Sequence, residues 1–455
     1  MRVANPATRS TRRVPVAASP LGKLFRRSRS TTEKPAVRRV CSGIMLVVSM
    51  EPPDASLKRL LMSAPHRPLF LAGTVAVMLS MLWWTLHLAS IAFAWAAWPH
   101  PSIAPGWAHA VLIQYGLFPP FMFGFLLTTF PRWTSGPAVK PARYVLVAGG
   151  VLGGYVLAHI GLLGLLVLLK AGVIVMLGGF AVGVAALVGV LRKASDRNSH
   201  AWFSLAAFCV GSLGLAAFLA WLFGAPAKWA IASIKLGTFG FLLPMYFTVC
   251  HRMLPFFTKC KVDGYVMVRP AWSLPVVHAL LWTRLLLDLY GLLQWLWMVD
   301  VPLLLVFGYH ALAWQPWKAM RPGLLAVLHL AFAWLPIAFV LYVIQDSIYA
   351  VSGTMVLGRA PLHVLAIGFF GSMLVAMVTR VTQGHSGRPL EMGAVPWLCF
   401  VLLQVVVLLR IRAELGGDTY LWLVIAGVGW LLAFLPWVVR SAWVYLTPRA
   451  DGRPG

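Results

Sequence analysis

The stretch KAGVIVMLGGFAVGVAALVGVL, from Lys170 to Leu191, decides the fold class of this chain. After Lys170 it holds 21 residues that are all apolar or glycine. A helix that rises about 1.5 Å per residue needs roughly 20 such residues to cross the hydrocarbon core of a bilayer. This segment is therefore predicted to be a transmembrane helix.

Comparable apolar segments recur along the chain, separated by loops that carry most of the charge. We predict an all-α, polytopic integral membrane bundle of about 12 transmembrane helices over residues 63–447, with a short cytoplasmic tail at 448–455. The predicted spans lie near 69–90, 107–130, 144–164, 170–191, 201–223, 229–250, 271–289, 293–313, 323–345, 360–380, 394–412 and 421–443.

Composition excludes a soluble globule and argues against a nucleic-acid partner. Hydrophobic residues make up 60% of the chain and charged residues only 11%, too few to cover a surface in water. The net charge of +26 is divided between the basic first fifty residues and the loops. Loop charges of this kind are explained by membrane topology, so the expected partner is the lipid bilayer.

The first 62 residues differ in composition from everything that follows. They are rich in Arg, Ser, Thr and Pro, and they contain the runs RSTRR and KLFRRSRS. Such a segment cannot bury enough apolar surface to fold, so we predict a disordered basic tail, either a cytoplasmic arm or a transit-like sequence. A further interpretation is that the assigned start is wrong and that translation begins near Met45 or Met50.

Basic residues in the short loops predict the orientation, because Lys and Arg resist translocation. They concentrate after the even-numbered spans, and both termini are therefore predicted to be cytoplasmic. These loop residues are Arg132, Lys140 and Arg143; Arg192, Lys193 and Arg197; Arg252, Lys259, Lys261 and Arg269; Lys318 and Arg321; and Arg380 and Arg388.

Two of the twelve histidines match in predicted depth. His109 and His363 each lie two to four residues into a span, the second and the tenth, from the outer side. Neutral imidazole suits the axial coordination of haem iron, and a helical bundle can hold a haem between two histidines at one level. The alternative for any single histidine is an interfacial or capping role.

Four charged residues lie within or at the edge of predicted spans, where charge is costly. Arg284 and Asp288 are four residues apart and are expected to neutralise each other on one helix face. Lys235 is expected to extend its amine to the membrane surface, with Asp346 or a haem propionate as other partners.

Three motifs close their spans on the predicted cytoplasmic side with Arg and with Pro or Gly. They are GFLLTTFPRWT at 124–134, MYFTVCHRMLPFFTK at 245–259 and MVTRVTQGHSGRPL at 377–390. Non-helical backbone at membrane depth is tolerated only inside protein, so these ends are predicted to converge.

These motifs resemble the NnrS family, and the resemblance runs from about Pro65 to the C-terminus. Four further stretches contribute to it: SAPHRPLFLAG at 63–73, GWAHAVLIQYG at 106–116, LHLAFAWLP at 328–336 and HVLAIGFFGS at 363–372. The resemblance implies a twelve-span protein of the bacterial inner membrane that contains haem and copper and belongs to the response to nitric oxide. Histidine in the family pattern falls on His109, His329, His363 and His385, and arginine on Arg252, Arg380 and Arg388.

Copper is less expected than haem in this chain. Many family members read His-Ala-His-Glu in the second span, whereas here His109 and Ala110 are followed by Val111 and Leu112. A weaker similarity, to the main subunit of haem-copper oxidases and nitric oxide reductases, also implies a bis-histidine haem between the second and tenth spans. The sixth and seventh spans lack the histidines of the oxidase copper centre, so a binuclear centre is not expected.

The resulting hypothesis is a haem-binding inner-membrane protein of the nitric oxide and nitrosative stress response. His109 and His363 are the predicted ligands of a b-type haem, with His329 as the next candidate. A redox partner linked to quinol is an open possibility. The alternative is a solute or proton transporter without redox chemistry, which would use Lys235, Arg284, Asp288 and Asp346.

Overall fold

Helices joined by turns make up residues 57–452, the part of the chain that the computed structural model describes. After a short helix at Leu57–Leu61, twelve long helices follow in chain order. They are α1 (His66–Ala92), α2 (Pro105–Trp133), α3 (Pro141–Gly161), α4 (Leu166–Leu191), α5 (Ser199–Leu222), α6 (Lys228–Lys261), α7 (Ser273–Leu289), α8 (Trp297–Ala313), α9 (Gly323–Ser352), α10 (Ala360–Ser386), α11 (Ala394–Arg412) and α12 (Thr419–Tyr445).

This architecture confirms the prediction of an all-α polytopic membrane bundle. Between residues 57 and 452, 11 helices are long and apolar enough to cross a membrane. The remaining helix, α7, has 17 residues and carries two charged side chains. Except for the helix at Leu57–Leu61, the predicted tail and the start near Met45 or Met50 lie outside the described residues.

Helices α2, α6 and α10 form the centre of the bundle. Their most apolar stretches are 83%, 67% and 72% buried, against 33–61% for the other candidate spans. Each of the three changes from α-helix to π-helix and back, with π segments at Ile113–Leu117, Leu236–Leu242 and Val364–Gly371. The same pattern therefore recurs at every fourth helix. Short π segments inside α-helices are frequent at functional sites.

Side chains of α2 satisfy backbone carbonyls of α6 just before its π segment. The Gln114 amide donates hydrogen bonds to the Ile234 carbonyl at 3.1 Å and to the Thr238 hydroxyl at 2.7 Å. The Tyr115 hydroxyl donates to the Ser233 carbonyl at 2.7 Å. Buried carbonyls need such partners where the regular helical ladder is interrupted, so these contacts fix the π segment of α6 against α2.

Replacing Gln114 by leucine is expected to cost about 1–3 kcal/mol, because the change removes hydrogen bonds to the Ile234 carbonyl and the Thr238 hydroxyl. The thermal unfolding midpoint in detergent measures this loss. Gln294→Leu is the control, since Gln294 is exposed in the turn before α8. Equal midpoints for the two variants would contradict the role given to Gln114.

The basic ends of α2, α6 and α10, where the three predicted motifs lie, contact one another as expected. The Arg252 guanidinium of α6 lies over the Trp133 ring of α2, 4.6 Å from its centroid. The Arg380 guanidinium of α10 lies 4.6 Å from the Phe257 ring centroid of α6. The backbone there is helical rather than irregular, however, and α6 continues to Lys261.

Candidate functional site

His109 and His363 lie at the same end of the central helices, opposite the basic loops. His109 is in the first turns of α2, and His363 is the last residue before the π segment of α10. The two imidazoles are close enough to interact electrostatically, and both also interact with Arg359 and Arg410. The predicted pair therefore lies within electrostatic range of one another and of two guanidinium groups.

Each of these two rings keeps one nitrogen without a hydrogen-bond partner among the described residues. Nδ1 of His363 bonds the backbone carbonyl of Arg359 at 2.9 Å. This contact fixes the tautomer in which Nε2 keeps its lone pair, a common arrangement for metal-bound histidine. Nδ1 of His109 is buried without a hydrogen-bond partner, and its ring stacks on Trp84 at a centroid distance of 4.3 Å.

The donor set fits a haem better than a bound metal ion. Within residues 57–452, no group of three or more His, Cys, Asp or Glu side chains is arranged to hold a metal ion. A haem needs only two axial ligands, and its two propionates would match the positive charge of Arg359 and Arg410. Arg410 also pairs with Glu414, at 2.7 Å between Nη1 and Oε1.

The other predicted site residues lie toward the basic end and not beside this pair. His385 follows His363 by 22 residues in one helical rod, so their separation is about 30 Å. Nε2 of His329 forms a hydrogen bond of 3.1 Å with the Thr258 hydroxyl. Arg252 and Arg380 cover aromatic rings there, as described above. One metal centre therefore cannot use His363 and His385 together.

His385 and Arg388 contact residues of α1 and α12 at the basic end of the bundle. These contacts were not predicted from the sequence. The His385 ring lies 4.5 Å from the ring of His66. The Arg388 guanidinium lies 4.8 Å from the centroid of Trp443. The Arg67 guanidinium donates to the carbonyls of residues 445 and 447, at 3.1 and 3.0 Å, and so ties α1 to the end of α12.

A third histidine group, also at the basic end, was not predicted. Nε2 of His200 bonds Nδ1 of His251 at 2.9 Å, and Nε2 of His251 bonds the Ser273 hydroxyl at 2.8 Å. The His310 ring lies 5.4 Å from that of His251, and both its nitrogens are buried without a partner. Because both nitrogens of His251 are occupied, this group forms a hydrogen-bonded chain rather than a metal site.

A small apolar cavity of about 60 Å³ lies between α1, α2, α6 and α10. Phe118, Tyr246 and Met373 are among the residues of its wall, and the Tyr246 hydroxyl is already engaged with the Phe370 carbonyl at 3.2 Å. The cavity residues of α2 run from Phe118 to Leu126, which follow His109 by nine and 17 residues, so the cavity lies roughly 14 to 25 Å deeper along α2. Its size excludes a porphyrin, and its lining favours a small neutral molecule over water.

Sulfur atoms are prominent in the cavity wall. The five contributing residues are Met122, Met245, Cys250, Met373 and Met377. Thioethers are polarisable and adapt their conformation to an irregular space, so the wall can yield slightly around a guest molecule.

The interior charges pair differently from the prediction. The expected Arg284–Asp288 pair within α7 is wrong, and Lys235 of α6 binds a carboxylate of α7 instead of extending its amine to the membrane surface. Arg284 binds Asp300 and Asp346, with Nε–Oδ1 and Nη2–Oδ2 distances of 2.6 and 3.3 Å. Asp288 instead binds Lys235, at 2.7 Å between Oδ1 and Nζ. Sequence reasoning missed Asp300, although an isolated acidic residue in the run LWMVDVPLLLV was a signal for it.

Comparison with known proteins agrees with this architecture. A search of curated proteins finds no match for the chain. The family profile described as NnrS protein matches residues 60–449, which include all twelve long helices. A match over nearly the whole chain, in a multi-pass helical membrane protein, shows that this chain belongs to the NnrS family.

Proposed function

We propose that this protein binds haem between α2 and α10, in the bacterial inner membrane, as part of the response to nitric oxide and nitrosative stress. The observation that supports the proposal is that His109 and His363 lie within electrostatic range of one another and of Arg359 and Arg410. NnrS membership supports the link to nitric oxide. The expected cofactor is a b-type haem, because a non-covalent haem needs only the two imidazoles as ligands.

The chain would hold the group through three kinds of contact. His109 and His363 would supply the nitrogen ligands, and Trp84 would keep the His109 ring in place by stacking on it. The carbonyl of Arg359 would hold the ring of His363. A bound haem would supply reversible one-electron chemistry, and its iron would bind nitric oxide when one of the two imidazoles is displaced.

The apolar cavity supports a neutral diatomic ligand. Nitric oxide is small and uncharged, so it dissolves in the membrane and enters an apolar space without the desolvation cost of an ion. The cavity lies on the same two helices as the histidine pair, deeper in the bundle. We propose it as a holding site for the gas deeper in the bundle than the haem, with a redox partner, for example one linked to quinol, as the electron source.

The experiment that tests this proposal is an optical spectrum of the purified protein with a haem assay. Wild type is expected to show a Soret band, and His109→Ala and His363→Ala are each expected to lose most of the bound haem. His100→Ala, in the loop before α2, is the matched control and should retain it. Full haem occupancy in both site variants would reject these ligands, and wild type without a Soret band would reject the function.

Copper is kept as a lesser proposal, since the family is associated with metal binding. Metal analysis of the same preparations gives the copper content directly. The competing function, solute or proton transport, is favoured by the buried charges around Arg284. Solute uptake by vesicles with the purified protein in their membrane separates transport from a haem function. A transporter without redox chemistry would take up solute, and its spectrum would show no Soret band.

A further inference from the structure

Three interior residues of α7, α8 and α9 form an ion network with unequal charge. The side chains of Arg284, Asp300 and Asp346 are 3%, 0% and 3% exposed. One guanidinium faces two carboxyl groups, and the faces of the guanidinium are covered by Phe239 and Tyr342, at 3.9 and 4.6 Å from the ring centroids. If both carboxyl groups were ionised, the group would carry an uncompensated negative charge in a site shielded from water.

The two carboxyl groups share one guanidinium, because Arg284 binds Asp300 through Nε and Asp346 through Nη2. Oδ2 of Asp300 is fully buried and has no donor among the described residues. Two carboxylates held by one guanidinium repel each other in a low-dielectric site, and one proton on the pair removes the repulsion and supplies a donor.

The neighbouring charged groups do not neutralise this uncompensated negative charge. Lys235 of α6 is paired with Asp288 of α7, whose carboxylate and backbone carbonyl accept from its amine at 2.7 and 2.8 Å. The charged and titratable groups that face the carboxyl pair are Arg284 and Asp288 of α7, Tyr342 of α9 and, through Asp288, Lys235 of α6. Together with the pair they hold two positive and three negative charges, which leaves one to be neutralised.

We propose that Asp300 and Asp346 form a proton-binding site that holds a single exchangeable proton at neutral pH. In this proposal the proton exchanges by way of the Lys235–Asp288 pair, whose side chains are 25% and 14% exposed. The site takes up one proton when both of its carboxyl groups are ionised. It is separate from the histidine pair, and it exists whether or not the chain binds haem.

Infrared difference spectroscopy of the whole protein in liposomes tests this site. Wild type at neutral pH should show the C=O band of a protonated carboxyl that shifts to lower frequency in D₂O. The band should disappear in Asp300→Asn and in Asp346→Asn, and it should move but persist in Asp346→Glu. Asp263→Asn, in the loop before α7, is the control that should leave the band unchanged.

Charge balance gives a second readout that a merely structural role would not produce. Each single Asn variant leaves one carboxylate on one guanidinium, so its thermal midpoint should stay close to that of wild type. The double variant Asp300→Asn with Asp346→Asn strands Arg284, and its loss should exceed the sum of the two single losses. The proposal fails if wild type shows no protonated carboxyl band, if the band survives in both Asn variants, or if sodium ions replace the proton and remove the band.

Discussion

Replacing Arg284 by methionine is expected to lower the free energy of unfolding by about 3–5 kcal/mol, the largest loss that we foresee for a single side chain. The variant keeps two buried carboxyl groups and removes the guanidinium that binds both. It also removes the cation that stacks on Phe239 and Tyr342. Chemical or thermal unfolding in a constant detergent, followed by circular dichroism, measures the effect.

Arg412→Met is the matched control for Arg284→Met. Arg412 also lies over an aromatic ring, that of Trp422 at 5.0 Å, but it is exposed. Its removal should cost less than about 1 kcal/mol. Adding Asp300→Asn and Asp346→Asn to Arg284→Met should recover part of the loss, because no uncompensated charge then remains. Similar losses for Arg284→Met and Arg412→Met would show that the network contributes little.

Gly154→Leu is expected to separate α3 from α4 and to destabilise the bundle by about 3 kcal/mol, the upper end of the usual cost of overpacking. A Cβ atom at position 154 would lie 2.5 Å from the carbonyl oxygen of Gly172 and from the backbone nitrogen of Met176. Both are backbone atoms that cannot rotate away as a side chain would. Small residues that allow such close approach are typical of packed transmembrane helices.

Gly153→Leu tests the same change at the neighbouring position. Gly153 is exposed, and a Cβ atom there would meet no atom within 4 Å. This control should unfold at nearly the temperature of wild type, whereas Gly154→Leu should unfold well below it. If both variants behave alike, helix propensity and not the α3–α4 contact sets the stability.

Much of the helix pattern was predictable because apolar runs dominate the sequence, and the errors have one cause. The sixth span was predicted to end at residue 250, yet α6 continues to Lys261. His251 and Arg252 look like the start of a loop, but His251 is bonded to Ser273 and Arg252 lies over Trp133. A helix can continue through polar residues when their side chains bind residues of other helices. The hydropathy pattern of one segment does not show those contacts.

The candidate site was predictable only in part for the same reason. Depth in the membrane follows from position along a span, and it singled out His109 and His363 as a pair at one level. Their shared electrostatic interaction with Arg410, a residue of α11, depends on which helices are neighbours. The roles of these residues as haem ligands stay predictions until the spectra are measured.

The sequence by itself determined that this chain crosses a membrane many times, because lipid accepts only long apolar helices whose backbone is internally bonded. Only the tertiary structure decided which charges and imidazoles meet. Arg284 binds Asp300 and Asp346 on other helices and not Asp288, which lies four residues away in sequence. Burial makes each of these pairings stronger than it would be at the surface. Such partners are fixed by the packing of α7 against α8 and α9, which no spacing along one helix reveals.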